Sequence, residues 1–202
     1  MAWAIWITGL PGSGKTTIAR AVAARLAAEG RSARVLELDA IRRIVTPDPT
    51  YSQEERNLLY RSLAVMAALL VEAGVSVIVD ATAHRRAYRT LARTLIPRFA
   101  EVYLRCPLEI CRQREHRRFG GYAPRHIYEQ ADRLGAPVPG AGVAYEPPEA
   151  PELIIQSAGR NPAEAVEEIV ALVDRFEAPY VAAAASLWKA GSAAPGRDLG
   201  GN

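Results

Sequence analysis

Residues 9–16 read Gly-Leu-Pro-Gly-Ser-Gly-Lys-Thr. Spaced in this way, Gly9, Gly12 and Gly14, with Pro11 and Ser13 between them, let successive backbone N–H groups curl around a polyphosphate. The N-terminus of a following helix, through Thr16 and Thr17, adds its positive dipole. Lys15 reaches the β- and γ-phosphates, and the Thr16 hydroxyl completes a Mg²⁺ shell. The chain has 25 basic residues but only two lysines, Lys15 and Lys189. One of the two stands at the phosphate-contacting position. The expected ligand is ATP or GTP with Mg²⁺.

Three further clusters could complete a reaction. Asp39 and Arg42 lie in Leu-Glu-Leu-Asp-Ala-Ile-Arg-Arg. An Asp there can position an attacking hydroxyl or take its proton. Arg42, one helical turn on, suits a second anion. Asp80 ends the run Val-Ile-Val-Asp. A carboxylate ending an apolar strand beside a phosphate loop handles a Mg²⁺ shell, with helix capping as the plainer alternative. His84, Arg85, Arg86 and Arg89 follow, and at least one of these arginines is expected merely to face solvent. Arg112, Arg114, Arg117 and Arg118 form the last cluster. Arg114 and Arg118 share a helix face, placed to neutralise charge on a transferring phosphoryl group.

These residues need a scaffold that gathers them. Apolar runs at Ala4–Thr8, Arg34–Leu38, Val75–Val79, Glu101–Leu104 and Leu153–Ile155 alternate with helical patterns. The helical stretches are Lys15–Ala28, Ser52–Ala73, Arg85–Ile96, Leu108–Arg117 and Pro162–Phe176. Ser52 followed by Gln-Glu-Glu, and Asn161-Pro162, are helix starts. Strands separated by helices imply right-handed crossovers and a five-stranded parallel sheet with helices on both faces. Such sheets bind ligands at the carboxyl ends of their strands. Residues 119–151 break the rhythm with Gly, Pro and Arg and read as a closing lid. Residues 181–202, rich in Ala, Gly and Ser, are expected to be a disordered tail after a domain spanning 1–180.

The 202 residues are half apolar, enough for one core, and the net charge of +3 fits anionic substrates without demanding nucleic acid. No apolar stretch reaches a membrane span. The start runs directly into the first strand, so a signal peptide is not expected. Two cysteines, Cys106 and Cys111, are too few for a disulfide framework, so the expected setting is reducing and cytoplasmic.

At this point the motifs resemble those of the adenylylsulfate kinases, P-loop kinases that transfer the ATP γ-phosphoryl to the 3′-hydroxyl of adenylyl sulfate. The resemblance covers roughly residues 3–175. Residues 9–19 are close to that family's phosphate loop. Residues 34–42 lie over its DGDxxR segment, with Asp39 on the second Asp and Arg42 on the Arg. Residues 51–56, Tyr-Ser-Gln-Glu-Glu-Arg, are similar to its F-S-x-x-x-R stretch. The likeness implies that Tyr51 stacks on the substrate adenine and Arg56 holds the substrate. Residues 106–114 match T-P-L-E-x-C-x-x-R, and 144–153 look like S-P-Y-E-x-P-x-x-P-E-L. Departures fall on the acceptor side. Glu37 and Leu38 replace Asp and Gly, and Leu59 replaces an Asn. Thr82-Ala83-His84 replaces Ile-Ser-Pro, Gln156 replaces an Asp, and the lysine-rich lid motif is absent.

The resemblance therefore implies the P-loop kinase fold. Lys15 and Asp39 would be catalytic. Gly9, Pro11 to Thr17 and Arg114 would hold ATP, and Thr16 and Asp80 would serve Mg²⁺. Asp39, Arg42, Tyr51, Arg56, Thr82 and Arg86 would meet a small anionic acceptor bearing a hydroxyl. Adenylyl sulfate leads as that acceptor, in sulfate assimilation. Another nucleotide, a sugar-like alcohol or an antibiotic hydroxyl are the other candidates. A nucleotide-dependent switch would need no second-substrate pocket. A nucleic-acid 5′-kinase would want an aromatic and basic stripe that the sequence lacks. Oligomeric state stays open, with a homodimer one expectation.

Overall fold

The computed structural model describes residues 1–118 and 120–191. Five parallel strands form one sheet: β1 (Ala4–Thr8), β2 (Ala33–Glu37), β3 (Ser76–Asp80), β4 (Phe99–Arg105) and β5 (Leu153–Gln156). Their spatial order is β2-β3-β1-β4-β5. β1 is thus central, paired with β3 from Ala4↔Val77 to Ile7↔Asp80 and with β4 from Ala4↔Phe99 to Thr8↔Tyr103. The register brings the end of β1 level with Asp80.

β1 is buried along its whole length. Because side chains alternate across a strand, Ile5 and Ile7 pack to one side with α1 (Lys15–Ala28) and α7 (Pro162–Gly191). Ala4 and Trp6 pack to the other with α3 (Gln53–Glu72) and α4 (Arg86–Leu95). Ser52 caps α3, its Oγ accepting from the Glu55 N–H at 3.2 Å. Asn161 caps α7, accepting from the Ala163 N–H at 3.0 Å.

Two short helices stand beyond the helical stretches expected from sequence. α2 (Leu38–Val45) begins where β2 was expected to end, since Leu38 turns inward as the first helical residue instead of closing the strand. α6 (Ile127–Leu134) lies inside the stretch expected to be an irregular lid. With α5 (Leu108–His116) it builds a third, small apolar cluster around Cys106, Cys111, Tyr128 and Val138. Both cysteines are free and buried.

α7 continues through residues 181–191, a stretch whose alanines favour helix over the disorder read from composition. Residues 192–202 lie outside the described residues. Among the described residues, no helix is long and apolar enough to cross a membrane.

Candidate active site

α1 starts without the usual protections. Its N-cap is Gly14 at φ +101, no side chain caps it, and its first turn holds no acidic residue. The first N–H groups of a helix need partners, so this end is suited to an anion. Two glycines are needed for different reasons. Gly14 takes a left-handed backbone that a side chain would strain. At Gly12, also at positive φ, an added Cβ would lie 2.3 Å from the carbonyl oxygen of Cys111. The loop is therefore held against α5 by close backbone approach.

Lys15 is buried, and its Nζ donates to the carbonyls of Gly9 (3.1 Å) and Leu10 (3.0 Å). Burial pushes its ammonium down, against the opposing pull of Asp80 and Asp39. Burial likewise pushes the Asp80 carboxyl up to about 6, while Lys15 and a hydrogen bond with Thr16 work to lower it. A lysine, a threonine hydroxyl and a carboxylate thus form one electrostatic unit. The Thr16 hydroxyl and the Asp80 carboxylate offer hard oxygen donors of the kind Mg²⁺ takes.

A cavity of about 380 Å³ opens at the carboxyl ends of the strands. At one end lie Pro11, Gly12, Gly14, Lys15, Thr16 and Thr17, with Arg114 beside them. Arg114 donates to the carbonyls of Ser157 (2.7 Å) and Ser13 (3.5 Å), which fixes α5 to the phosphate loop. At the other end lie Asp39, Arg42, Tyr51, Arg56 and Thr82, while Asp80 lines the cavity beside Lys15 and Thr16. Asp39 stands in the first turn of α2, while Glu37 is that helix's N-cap. Arg42 is buried, pairs with Glu55 at 2.7 Å and stacks 4.8 Å from the Tyr51 ring. Tyr51 adopts φ +53. Its carbonyl accepts from Arg56 Nε at 2.9 Å, and the same guanidinium reaches the carbonyl of Pro137 across the cavity.

Three expected residues stand apart from the lining. Gly9 contributes its carbonyl to Lys15 from behind the loop. Ser13 is buried, and its Oγ has no partner. Arg86 lies outside the cavity on the exposed start of α4, paired with Glu146 and Glu149. It is drawn there because Glu146 caps that helix, accepting from the Arg86 N–H at 2.8 Å. Arg89 is no solvating arginine either. It is 1% exposed and bonded to Glu101 and to the carbonyls of Ala83 and Glu146.

The lining also includes residues that motif reading passed over. Tyr60 sits one turn beyond Arg56 on α3, a spacing that could have flagged it. Arg118, expected with Arg114 to face the transferring phosphoryl, lines the cavity, and so do Ala123, Pro124, Ile127, Gln130 and the segment 136–139. Ile127 and Gln130 belong to α6, while Ala123, Pro124 and the segment 136–139 lie outside helix and strand, with no periodicity to announce them.

The segment 144–153 works as a strap. The Tyr145 hydroxyl lies 3.0 Å from Thr8 Oγ1, which itself donates to the Thr82 carbonyl at 2.6 Å. The Glu146 N–H donates to the His84 carbonyl at 2.8 Å. Glu152 accepts from Arg93 and from the Glu101 N–H. The strap thereby holds the loop after β3, and with it Thr82, against the end of β1. His84 lies beneath, 1% exposed, against the rings of Tyr60 and Tyr88. Burial, with Arg56 and Arg85 nearby, pushes it down to about 4, so it is neutral at pH 7.

This geometry has known counterparts. The family model for adenylylsulphate kinase matches residues 1–156. A probable adenylyl-sulfate kinase of Archaeoglobus fulgidus is 37% identical, covering 78% of this chain and 97% of its own length. The adenylyl-sulfate kinase of Bacillus licheniformis is 36% identical over 84% of this chain and 83% of its own. The structure of the Mycobacterium tuberculosis APS kinase CysC in complex with AMPPNP and APS superposes with a TM-score of 0.76. It is 30% identical and covers 86% of this chain and 98% of that one. With the phosphate loop, the strap and the two-ended cavity in place, the chain belongs to the adenylylsulphate kinase family.

Proposed function

We propose that this chain transfers the γ-phosphoryl group of ATP to the 3′-hydroxyl of adenylyl sulfate, giving 3′-phosphoadenylyl sulfate. The observation that carries the reading is the continuous cavity with a phosphate loop at one end and Asp39, Arg42, Tyr51, Arg56 and Thr82 at the other. In-line transfer needs donor and acceptor in one such space.

In this reading the loop N–H groups and Lys15 hold the transferring end of ATP. Thr16 and Asp80 hold Mg²⁺, which when bound neutralises charge on the phosphates. Asp39 orients the acceptor hydroxyl. Arg42 and Arg56 bind acceptor anions, with Tyr51 against the adenine. Arg114 and Arg118 face the charge that spreads over the moving phosphoryl. The walls at 123–124 and 136–139, tied down by Arg56 to Pro137 and by the Tyr128 hydroxyl to the Pro11 carbonyl at 2.9 Å, act as a lid. A lid keeps water, the competing acceptor, out.

Of the departures from the family pattern, Leu38 and Thr82 line the cavity. Leu59 is 1% exposed within the apolar cluster under α3 and does not line the cavity. His84 is equally buried and also off the lining. Of the replaced Ile-Ser-Pro stretch, only Thr82 faces the cavity.

A coupled ADP-release assay with Mg-ATP tests the proposal. ADP release is expected only with adenylyl sulfate present. Lys15→Ala is expected to lower kcat by about 10²–10³-fold, as loss of one charge-stabilising donor does. Asp39→Asn is expected to keep ATP affinity and lose turnover. ADP release indifferent to adenylyl sulfate would refute the acceptor, and undiminished turnover in Asp39→Asn would remove Asp39 from the mechanism.

A further inference from the structure

Two of the three histidines in the chain meet outside the cavity. His116 ends α5 and His126 precedes α6 as its N-cap, at φ +54. Glu129, in the first turn of α6, lies between them. His116 Nδ1 is 2.7 Å from Glu129 Oε1, and His126 Nδ1 is 3.5 Å from Glu129 Oε2. The imidazole rings stand edge to face, 5.6 Å apart. One donor atom from each residue lies within 4.8 Å of the others.

We propose that His116, His126 and Glu129 form a binding site for a divalent transition cation of the zinc class, which clips α6 to the end of α5. Two imidazoles and one carboxylate are the donor set of three-ligand zinc sites, with water in the fourth position. Metal–ligand bonds of about 2.0–2.2 Å place tetrahedral ligands roughly 3.4 Å apart. The His116–Glu129 and His126–Glu129 separations, to the two carboxylate oxygens, bracket that figure, so binding asks the first to lengthen by under about 1 Å and the histidines to draw together. All three side chains are about half exposed or more, so they can rotate to close the gap and the ion can enter from solvent.

Their chain positions give the site its consequence. His116 belongs to a helix anchored to the phosphate loop through Arg114. His126 and Glu129 belong to the segment whose Ile127 and Gln130 form the cavity wall. An ion held by both would fix that wall. Arg112 and Asp132 neutralise each other across the same two helices at 2.5 Å, which spares the ion one local positive charge. The inference does not depend on which acceptor the kinase uses.

Zn²⁺ titrated into untagged, nucleotide-free protein tests the site. Calorimetry is expected to show one equivalent bound with micromolar affinity. Removal of even an outer-shell partner costs about 10- to 100-fold in affinity, so His116→Ala and His126→Ala are each expected to weaken binding at least tenfold. Glu129→Gln is expected to weaken it as well. Asp80→Asn is expected to keep the equivalent, which separates this site from the phosphate loop. Because the three residues are exposed, the variants are expected to keep the wild-type circular dichroism. Amide exchange across residues 120–134 is expected to slow with Zn²⁺ in wild type and not in His126→Ala. No saturable binding, or binding that survives both histidine variants, would overturn the site. Binding with unchanged exchange would overturn the clip.

Discussion

Asp80 gives the sharpest test, because its role in the site and its effect on stability pull in opposite directions. Burial raises its pKa to about 6 from an ordinary 3.8. Between those values the native carboxyl is protonated while the unfolded one is ionised, so the native state binds more protons. Stability then falls as pH rises through this window. At 1.36 kcal/mol per pKa unit, a shift of about two units makes the ionised carboxylate cost the free protein about 3 kcal/mol by pH 7. Urea unfolding at pH 4, 5, 6 and 7, on wild type and Asp80→Asn, measures it. Carboxylates that depress their own pKa, such as Glu152 with Arg93, act alike in both proteins and cancel in the difference. Asp80→Asn minus wild type is expected to climb by about 2 kcal/mol from pH 4 to pH 7, the rest of the cost being already present at pH 4. A Mg²⁺ complex of a non-hydrolysable ATP analogue is expected to flatten that climb, since a bound cation favours the carboxylate. A difference that does not vary with pH would refute the reasoning and leave Asp80 an ordinary solvated acid.

Two further outcomes follow from packing. Gly12→Ala forces a methyl to within 2.3 Å of the Cys111 carbonyl oxygen, so the loop or α5 must shift. Nucleotide binding is expected to be lost while the chain stays folded, and calorimetry with the ATP analogue against circular dichroism separates these. Arg89→Ala leaves the buried Glu101 with only the longer Arg93 contact at 3.8 Å and frees two carbonyls. Removing one member of a buried pair costs about 3–5 kcal/mol, readable as a lower urea midpoint at pH 7. An unchanged midpoint would mean that water replaces the guanidinium.

The phosphate loop, the sheet and the order of its strands' ligands were legible because their signals are local. A glycine spacing specifies a loop, a continuous apolar run specifies a strand covered on both faces, and the carboxyl ends of parallel strands face one way. Lys15, Asp39 and Asp80 could therefore be placed near one another from spacing alone. Sequence could not say which charges are solvated. Arg86 and Arg89 lie three residues apart on one helix, yet one is exposed against Glu146 and Glu149 and the other is 1% exposed on Glu101. That division depends on where the strap from 144 to 153 crosses α4. The same holds for Leu59, which reads as a lost polar contact in sequence and is core in three dimensions. The His116–His126–Glu129 cluster also comes only from tertiary structure. Ten residues separate the two histidines in sequence, and the turn back of α6 upon α5 is what brings them together.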